Sequence, residues 1–190
     1  MYDQIPDTGG PGTVILLNGT SSSGKSSIAA ELLRILDGTW FHLPVDAFHA
    51  MRGGGEIAPD DLQAEIDRTA KGFHRAVAGM DRAGNNVVVD HPLSRGWRLL
   101  DLLDLLTPEK TLLVGVRCPL PELERREQAR GDRQTGLAAL QYDAVHAHGP
   151  HDIDVDTSVH SPAECAFLVQ RALRSAARPT AFETLRRELR

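Results

Sequence analysis

Apolar residues along the chain come in two textures. The first is the short unbroken run: Thr13–Asn18 (TVILLN), Asn86–Val89 leading into Asp90, and Thr111–Val116. Runs of this length, apolar at every position, predict strands buried on both faces, as in a parallel sheet covered on each side by helices. Shorter versions at Trp40–Val45, leading to Asp46, and at Ile153–Val155 read as further strands. The second texture repeats every three to four residues. Lys25–Asp37 places Ile28, Leu32, Leu33, Ile35 and Leu36 at helical spacing and is followed by Gly38, a natural stop. Asp60–Ala83 carries Leu62, Ile66, Phe73, Val77 and Met80 on one face, and Trp97–Leu106 and Pro121–Arg130 read as two more helices. Ser161-Pro162-Ala163-Glu164 is a capping box with proline at the first helical position and opens a helix to about Ala176; Thr180–Glu183 repeats the box and opens a terminal helix.

Strands therefore alternate with helices, the order that builds an α/β fold with a five-stranded parallel sheet and helices on both faces. Met1–Gly12 is polar and rich in glycine and proline and reads as a loose tail; residues 13–176 form the domain, and 177–190 a helical extension. In open parallel sheets ligands bind outside the carboxyl ends of the strands. Three features stand at such ends here: the loop after Asn18, Asp46 and Asp90, with the flexible stretch Gly53–Gly55 between the last two. The fold brings them together although they are far apart in sequence.

Composition narrows the function mainly by exclusion. The net charge is −5 with no isolated Lys/Arg block, whereas a nucleic-acid binder carries a basic face, so nucleic acid is not the expected partner. No stretch approaches the 18 or so apolar residues of a membrane span, and no basic-then-apolar leader opens the chain, which points to a cytoplasmic protein away from membranes. Cys118 and Cys165 fall in apolar stretches and read as small buried hydrophobes, not as a disulfide or a C-x-x-C pair.

Positive chemistry begins at Gly19-Thr20-Ser21-Ser22-Ser23-Gly24-Lys25-Ser26, which fits G-x-x-x-x-G-K-[ST] and continues with Ser27. The two glycines allow a sharp turn that brings backbone N–H groups close to phosphate oxygens. The following helix directs its N-terminal dipole at the same anion. Lys25 can reach the β- and γ-phosphates, and Ser26 offers a hydroxyl to Mg2+. A phosphate loop between a buried strand and an amphipathic helix predicts nucleotide binding, and the expected architecture is a three-layer P-loop kinase fold with a lid, although the loop alone names no reaction. The N-K-x-D motif by which Ras-type GTPases read guanine is absent from the sequence, so ATP is the expected nucleotide.

Holding ATP is not the same as using it. Asp46, at a strand end, can accept the proton of an attacking hydroxyl or orient it; its plainer role is a turn or helix cap. Asp90 ends VVVD, a Walker-B pattern able to hold Mg2+ through water, or simply caps the strand. In RREQARGDR, Arg126 and Arg130 share a helix face and Arg133 follows a glycine. Arg130 and Arg133 are expected to belong to a mobile lid that closes over the transferring phosphoryl group, and Arg125 to a surface ladder with the neighbouring glutamates. Arg52, Arg68, Arg75 and Arg82 lie between the two strand-end carboxylates, either as a clamp for a second phosphate or as a solvated helix face.

ILLNGTSSSGKSS, VDAF after the second strand, RREQARGDRQTGLA, and VDTS before a helix with AEC together resemble the chloramphenicol phosphotransferases, from about Thr13 to Arg174. That resemblance implies a shikimate-kinase-like fold and the use of ATP and Mg2+ to phosphorylate a primary hydroxyl of the antibiotic. It makes Asp46 the base, Arg130 and Arg133 lid residues, Lys25 and Ser26 the phosphate and metal ligands, and puts Val155–Ser158 near the adenine. The chain departs from the family pattern in the acceptor region: His91-Pro92 follows Asp90 where the family tends to have a second acidic residue, and His49, Arg52 and three glycines lie in a short stretch between the strand-end carboxylates.

Three functions therefore compete. One is a kinase acting on a hydroxyl of a small molecule such as an antibiotic. Another is a metabolite kinase of the shikimate or gluconate type, which requires Arg52, Arg95 and Arg98 to line the acceptor pocket. The last is a nucleotide-gated regulatory module in which Asp46 is only a cap. His49 and His91 stand next to site carboxylates and are candidate acceptor contacts. His146, His148 and His151 fit no zinc spacing and read as loop or pocket-mouth residues; Trp40 and Trp97 read as core packing, and the terminal helix as a candidate homo-oligomer contact.

Overall fold

The computed structural model describes residues 9–130, 136–175 and 177–190. Five strands, β1 (Val14–Asn18), β2 (Trp40–Pro44), β3 (Asn86–Asp90), β4 (Thr111–Arg117) and β5 (Ile153–Asp156), form one parallel sheet in the order β2-β3-β1-β4-β5. The alternation of side chains explains why the apolar runs are unbroken. Val14, Leu16, Val87, Val89 and Leu113 enter one core; Ile15, Leu17, Val88, Leu112, Val114 and Val116 enter the other. Helices α1 (Lys25–Ile35) and α7 (Pro162–Arg174) cover the second face. Helices α3 (Pro59–Arg82), α4 (Gly96–Leu105) and α8 (Ala181–Leu189) cover the first, where Phe73, Leu102 and Phe182 are fully buried.

Both capping boxes form with the expected reciprocal bonds, at Ser161/Glu164 and Thr180/Glu183. The terminal helix α8 spends its apolar residues Phe182 and Leu185 inside this chain. The second strand is the edge of the sheet and tolerates Pro44 there. It ends one residue earlier than expected: Val45 starts a short helix, α2 (Val45–Ala50), so Asp46 lies in a helical first turn and not at a strand terminus. A last pair of helices, α5 (Leu120–Arg130) and α6 (Leu137–Gln141), flanks residues 131–135. Buried Glu127 ties them, accepting the backbone N–H of Gly136 (3.1 Å) and Ala138 (2.8 Å). No helix among the described residues is long and apolar enough to cross a membrane.

Candidate active site

The phosphate loop joins β1 to α1, and its shape follows from its sequence. A Cβ on Gly19 would sit 2.5 Å from the carbonyl oxygen of Val116, so only glycine fits that turn. Gly24 has φ 92°, left-handed backbone that glycine adopts without strain, and Ser22 is also left-handed at φ 61°. Strained non-glycine backbone of this kind is a feature of ligand clamps. The first turn of α1 has no side-chain cap, so its N–H groups point out of the helix as an anion site. The hydroxyls of Ser22 and Ser23 are buried without a hydrogen-bond partner among the described residues. Buried polar groups are normally paired, and a phosphate would complete this set. The residues present therefore fit a nucleotide phosphate group.

The charged floor lies beneath the loop. Lys25 is 7% exposed, donates to the carbonyl of Thr20 at 2.7 Å and lies 3.7 Å from Asp90. Asp90, also 7% exposed, accepts the Ser26 hydroxyl at 2.5 Å. It shares the α1-facing side of β3 with Val88, which is why a residue of α1 can reach it. A hydroxyl and a carboxylate in contact at the start of the phosphate-binding helix form the oxygen donor set that Mg2+ takes. Ser22, Gly24, Lys25, Ser26, Ser27, Asp46 and Asp90 together line one cleft of about 50 Å³. The three features separated in sequence, the phosphate loop, Asp46 and Asp90, thus meet.

A cavity of about 370 Å³ runs from Ser22, Gly24 and Ser27 to Arg126, Thr157 and Pro162. Arg126 donates to Thr157 Oγ1 (2.9 Å) and Thr157 O (2.8 Å), while Glu122 holds its Nε at 2.8 Å. Thr157 in turn donates to the carbonyl of Ser23 at 2.9 Å. The loop after β5 is thereby fastened to the phosphate loop, and α5 is fastened to both. Arg126 was not singled out as a site residue by its sequence; its four-residue spacing from Glu122 and Arg130 was the one available signal. Arg125 pairs with Glu122 on the surface, as expected, and both lie at the solvent face. The side chain of Arg130 and all of Arg133 lie outside the described residues. Gln141 of α6 accepts the Ser21 backbone N–H at 2.8 Å, so α6 touches the phosphate loop directly.

A cluster of aromatic rings and histidines packs by α2, α3 and the end of β3. Phe48 of α2 meets Phe73 of α3 edge-on at 5.1 Å, and Phe73 meets His91 at 5.3 Å. His74 and His91 are fully buried and bonded to each other, Nε2 to Nε2, at 3.0 Å. His74 Nδ1 lies 2.6 Å from Asp101 Oδ2, and Arg75 grips the same carboxylate with two bonds of 2.6 and 3.0 Å. Burial lowers the pKa of both rings, His91 well below the ordinary histidine value, with His74 and Arg98 adding to the effect there; both imidazoles are neutral at neutral pH. Burial also lowers His42 and His49, against the opposing pull of Asp90 and Asp46 respectively. Of the three arginines an anionic acceptor would need, Arg52 and Arg95 are exposed. Arg98 is buried and already donates to Pro92 O and Ser94 Oγ, with Asp67 3.9 Å away.

His146 and His151 approach Asp154 behind the loop, with one donor atom of each within 4.8 Å of the others. Arg117 and His151 both bond the same oxygen of Asp154, at 2.7 and 3.2 Å. His151 also meets Asn18 at 3.3 Å, so it braces the end of β1. His146 lines a cavity of about 420 Å³ with Thr20 and Tyr142. Both cysteines are buried thiols, and burial raises the Cys165 pKa to about 11.

The family model described as chloramphenicol phosphotransferase-like protein matches residues 12–174. The chain belongs to this chloramphenicol phosphotransferase-like family. A relative from Mycobacterium tuberculosis (strain H37Rv), an O-phosphotransferase by inference, is 28% identical over 200 residues, spanning 93% of this chain and 88% of the relative. Among solved structures, the Mycobacterium tuberculosis APS kinase in complex with AMPPNP and APS superimposes with a TM-score of 0.66 at 18% identity, covering 87% of this chain and 99% of that one. A gluconokinase from Sinorhizobium meliloti gives 0.63 at 19% identity, covering 88% and 94%. This member of the family thus has the P-loop kinase fold and is a small-molecule phosphotransferase.

Proposed function

We propose that the chain transfers the γ-phosphoryl group of ATP to a hydroxyl of a small molecule of the antibiotic type. The observation that carries this reading is the single cleft lined by Lys25, Ser26, Asp90 and Asp46. Lys25 and the loop N–H groups bind and neutralise the phosphates, and the cavity between Arg126 and Pro162 takes the base. Ser26, with Asp90 through water, would hold Mg2+, which supplies charge neutralisation between the phosphates. Arg130 and Arg133 belong to the lid that excludes water during transfer. Asp46 faces the transferring group from the acceptor side, orients the incoming hydroxyl and takes its proton. Arg52 and Arg95 face solvent, and Nη1 of Arg98 is spent on Pro92 O and Ser94 Oγ, which leaves its buried Nε without a hydrogen-bond partner among the described residues. A single N–H is a poor match for a two-oxygen anion, which favours an uncharged acceptor over a sugar acid or shikimate-like anion.

The test is Asp46→Asn, assayed with whichever member of a panel of hydroxylated antibiotics and sugar acids yields a phosphorylated product. The amide keeps the shape but cannot take the proton, so turnover falls by about 10²–10⁴ while ATP affinity is retained. A rate within about threefold of wild type removes Asp46 from the role of base.

A further inference from the structure

The phosphate loop contains a turn that its own sequence does not favour. The Ser23 N–H donates to Thr20 O at 3.3 Å and closes a turn over residues Thr20 to Ser23. Ser22, third in that turn, has φ 61° and is the one non-glycine residue with positive φ among the described residues. Left-handed backbone at this position ordinarily calls for glycine or asparagine, because a Cβ is penalised there. A serine keeps such a conformation only where its surroundings over-determine it.

The surroundings act on both flanks of Ser22. On one side Gln141 Oε1 accepts the Ser21 backbone N–H at 2.8 Å. On the other, Thr157 Oγ1 donates to Ser23 O at 2.9 Å and is itself held by Arg126 Nη1 at 2.9 Å. Both tethers lead back to α5. Arg126 belongs to it, and so does Glu127, which accepts the N–H groups of Gly136 and Ala138 at the start of α6, the helix that carries Gln141. Successive residues of a helix point about 100° apart, so one turn of α5 reaches both flanks of the loop. Ser22 also lines both cavities that meet at the loop, the cleft with Lys25 and Asp90 and the cavity with Arg126 and Pro162.

We propose that Gln141 is a positioning residue for nucleotide binding: with Thr157 it pins the two flanks of Ser22 and holds that residue left-handed, the conformation in which the loop meets a phosphate. This rests on the phosphotransferase reading above and adds a requirement to it, that α6 be seated on the loop for ATP to bind tightly. Without the tether Ser22 relaxes toward ordinary backbone, and part of the binding free energy of the phosphate is then used to restore the turn.

The test is calorimetry of the full-length protein with Mg2+ and a non-hydrolysable ATP analogue. Gln141→Met removes the acceptor oxygen and keeps the length of the side chain; it should weaken the analogue by about three- to tenfold. In a Ser22→Gly background left-handed backbone carries no penalty, so the same substitution should change affinity by less than about twofold. Thr157→Val removes the tether on the other flank and should show the same dependence on background. A role of Gln141 in the stability of α6 alone would give equal losses in both backgrounds, and that result overturns the inference, as does unchanged affinity in Gln141→Met. Tighter binding in Gln141→Met also overturns it, because the carboxamide would then stand where the phosphate goes. In each of these cases the phosphotransferase reading survives. A wild-type protein that binds the analogue no better than Lys25→Ala contradicts that reading itself, and the role of Gln141 falls with it.

Discussion

Asp90→Asn separates what the carboxylate does for the fold from what it does for the reaction. The substitution keeps the volume and removes one charge at a site 7% exposed to solvent. Two interactions weaken. The Ser26 hydroxyl, now 2.5 Å from a carboxylate oxygen, meets a neutral amide, and a hydrogen bond to a charged group is worth about 1.5–3 kcal/mol. The Lys25 ammonium at 3.7 Å loses an opposing charge, a Coulomb attraction of about 4 kcal/mol at an effective dielectric of 20, most of which is offset by no longer desolvating the carboxylate. The net expectation is a loss of about 2–3 kcal/mol, which lowers the melting temperature of a domain this size by about 5–10 °C. Nucleotide phosphates bring negative charge to Lys25, so ATP with EDTA should raise the melting temperature of Asp90→Asn by more than it raises wild type. With Mg2+ present, turnover should fall instead. Differential scanning fluorimetry in four conditions, with and without ATP and Mg2+, gives all the terms. A variant that melts within 1 °C or so of wild type, or that keeps full Mg2+-dependent turnover, would refute the reasoning.

Arg126→Ala should weaken ATP binding by roughly 5–30-fold, the equivalent of about 1–2 kcal/mol, because the two bonds tying α5 to Thr157 are lost; calorimetry with a non-hydrolysable ATP analogue measures it. Lysine at this position should not restore binding, since it cannot reproduce the two-pronged geometry. Acid should destabilise the fold in a defined window. His74 and His91 have folded pKa values below the unfolded one, and burial pushes His146 down to about 4. The unfolded chain therefore binds more protons, so stability is full above about pH 6.5 and falls as pH drops from there. Each fully buried histidine contributes up to about 2 kcal/mol of loss between pH 7 and pH 5. Urea midpoints across that range test it, and a flat profile contradicts it. The Glu122 carboxyl, held at about 2 by Arg125 and Arg126, acts only at lower pH and leaves this window clear.

The sheet was legible because strands buried on both faces must be apolar throughout, and the phosphate loop because its geometry demands glycine and lysine at fixed spacing. Helix α2 was not legible. Its six residues, Val45–Ala50, are too few to display a helical repeat, and Pro44-Val45 prolongs the apolar run of β2. Helix α6 hides for the same reason of length. Asp46 and Asp90 could be nominated from strand ends, but their meeting depends on which sheet face each strand offers to α1. Arg126 works through Thr157, 31 residues further on. The pair His74 and His91, 17 residues apart, and Asp101, 27 from His74, come from three elements. Such contacts are set by how α3 and α4 cross the sheet, information that no local pattern carries. His91 was marked beforehand only by its place after Asp90.

The central claim is phosphoryl transfer from ATP to a small-molecule hydroxyl. Its most direct test is incubation of the full-length protein with Mg-ATP and a panel of hydroxylated antibiotics and sugar acids, read by the mass of the products. A monophosphorylated neutral acceptor, formed with equal release of ADP and lost in both Lys25→Ala and Asp46→Asn, is the predicted result. Tight ATP binding with no phosphorylated product from any acceptor and no hydrolysis would contradict it, and would make the chain a nucleotide-gated module in which Asp46 only supports the start of α2.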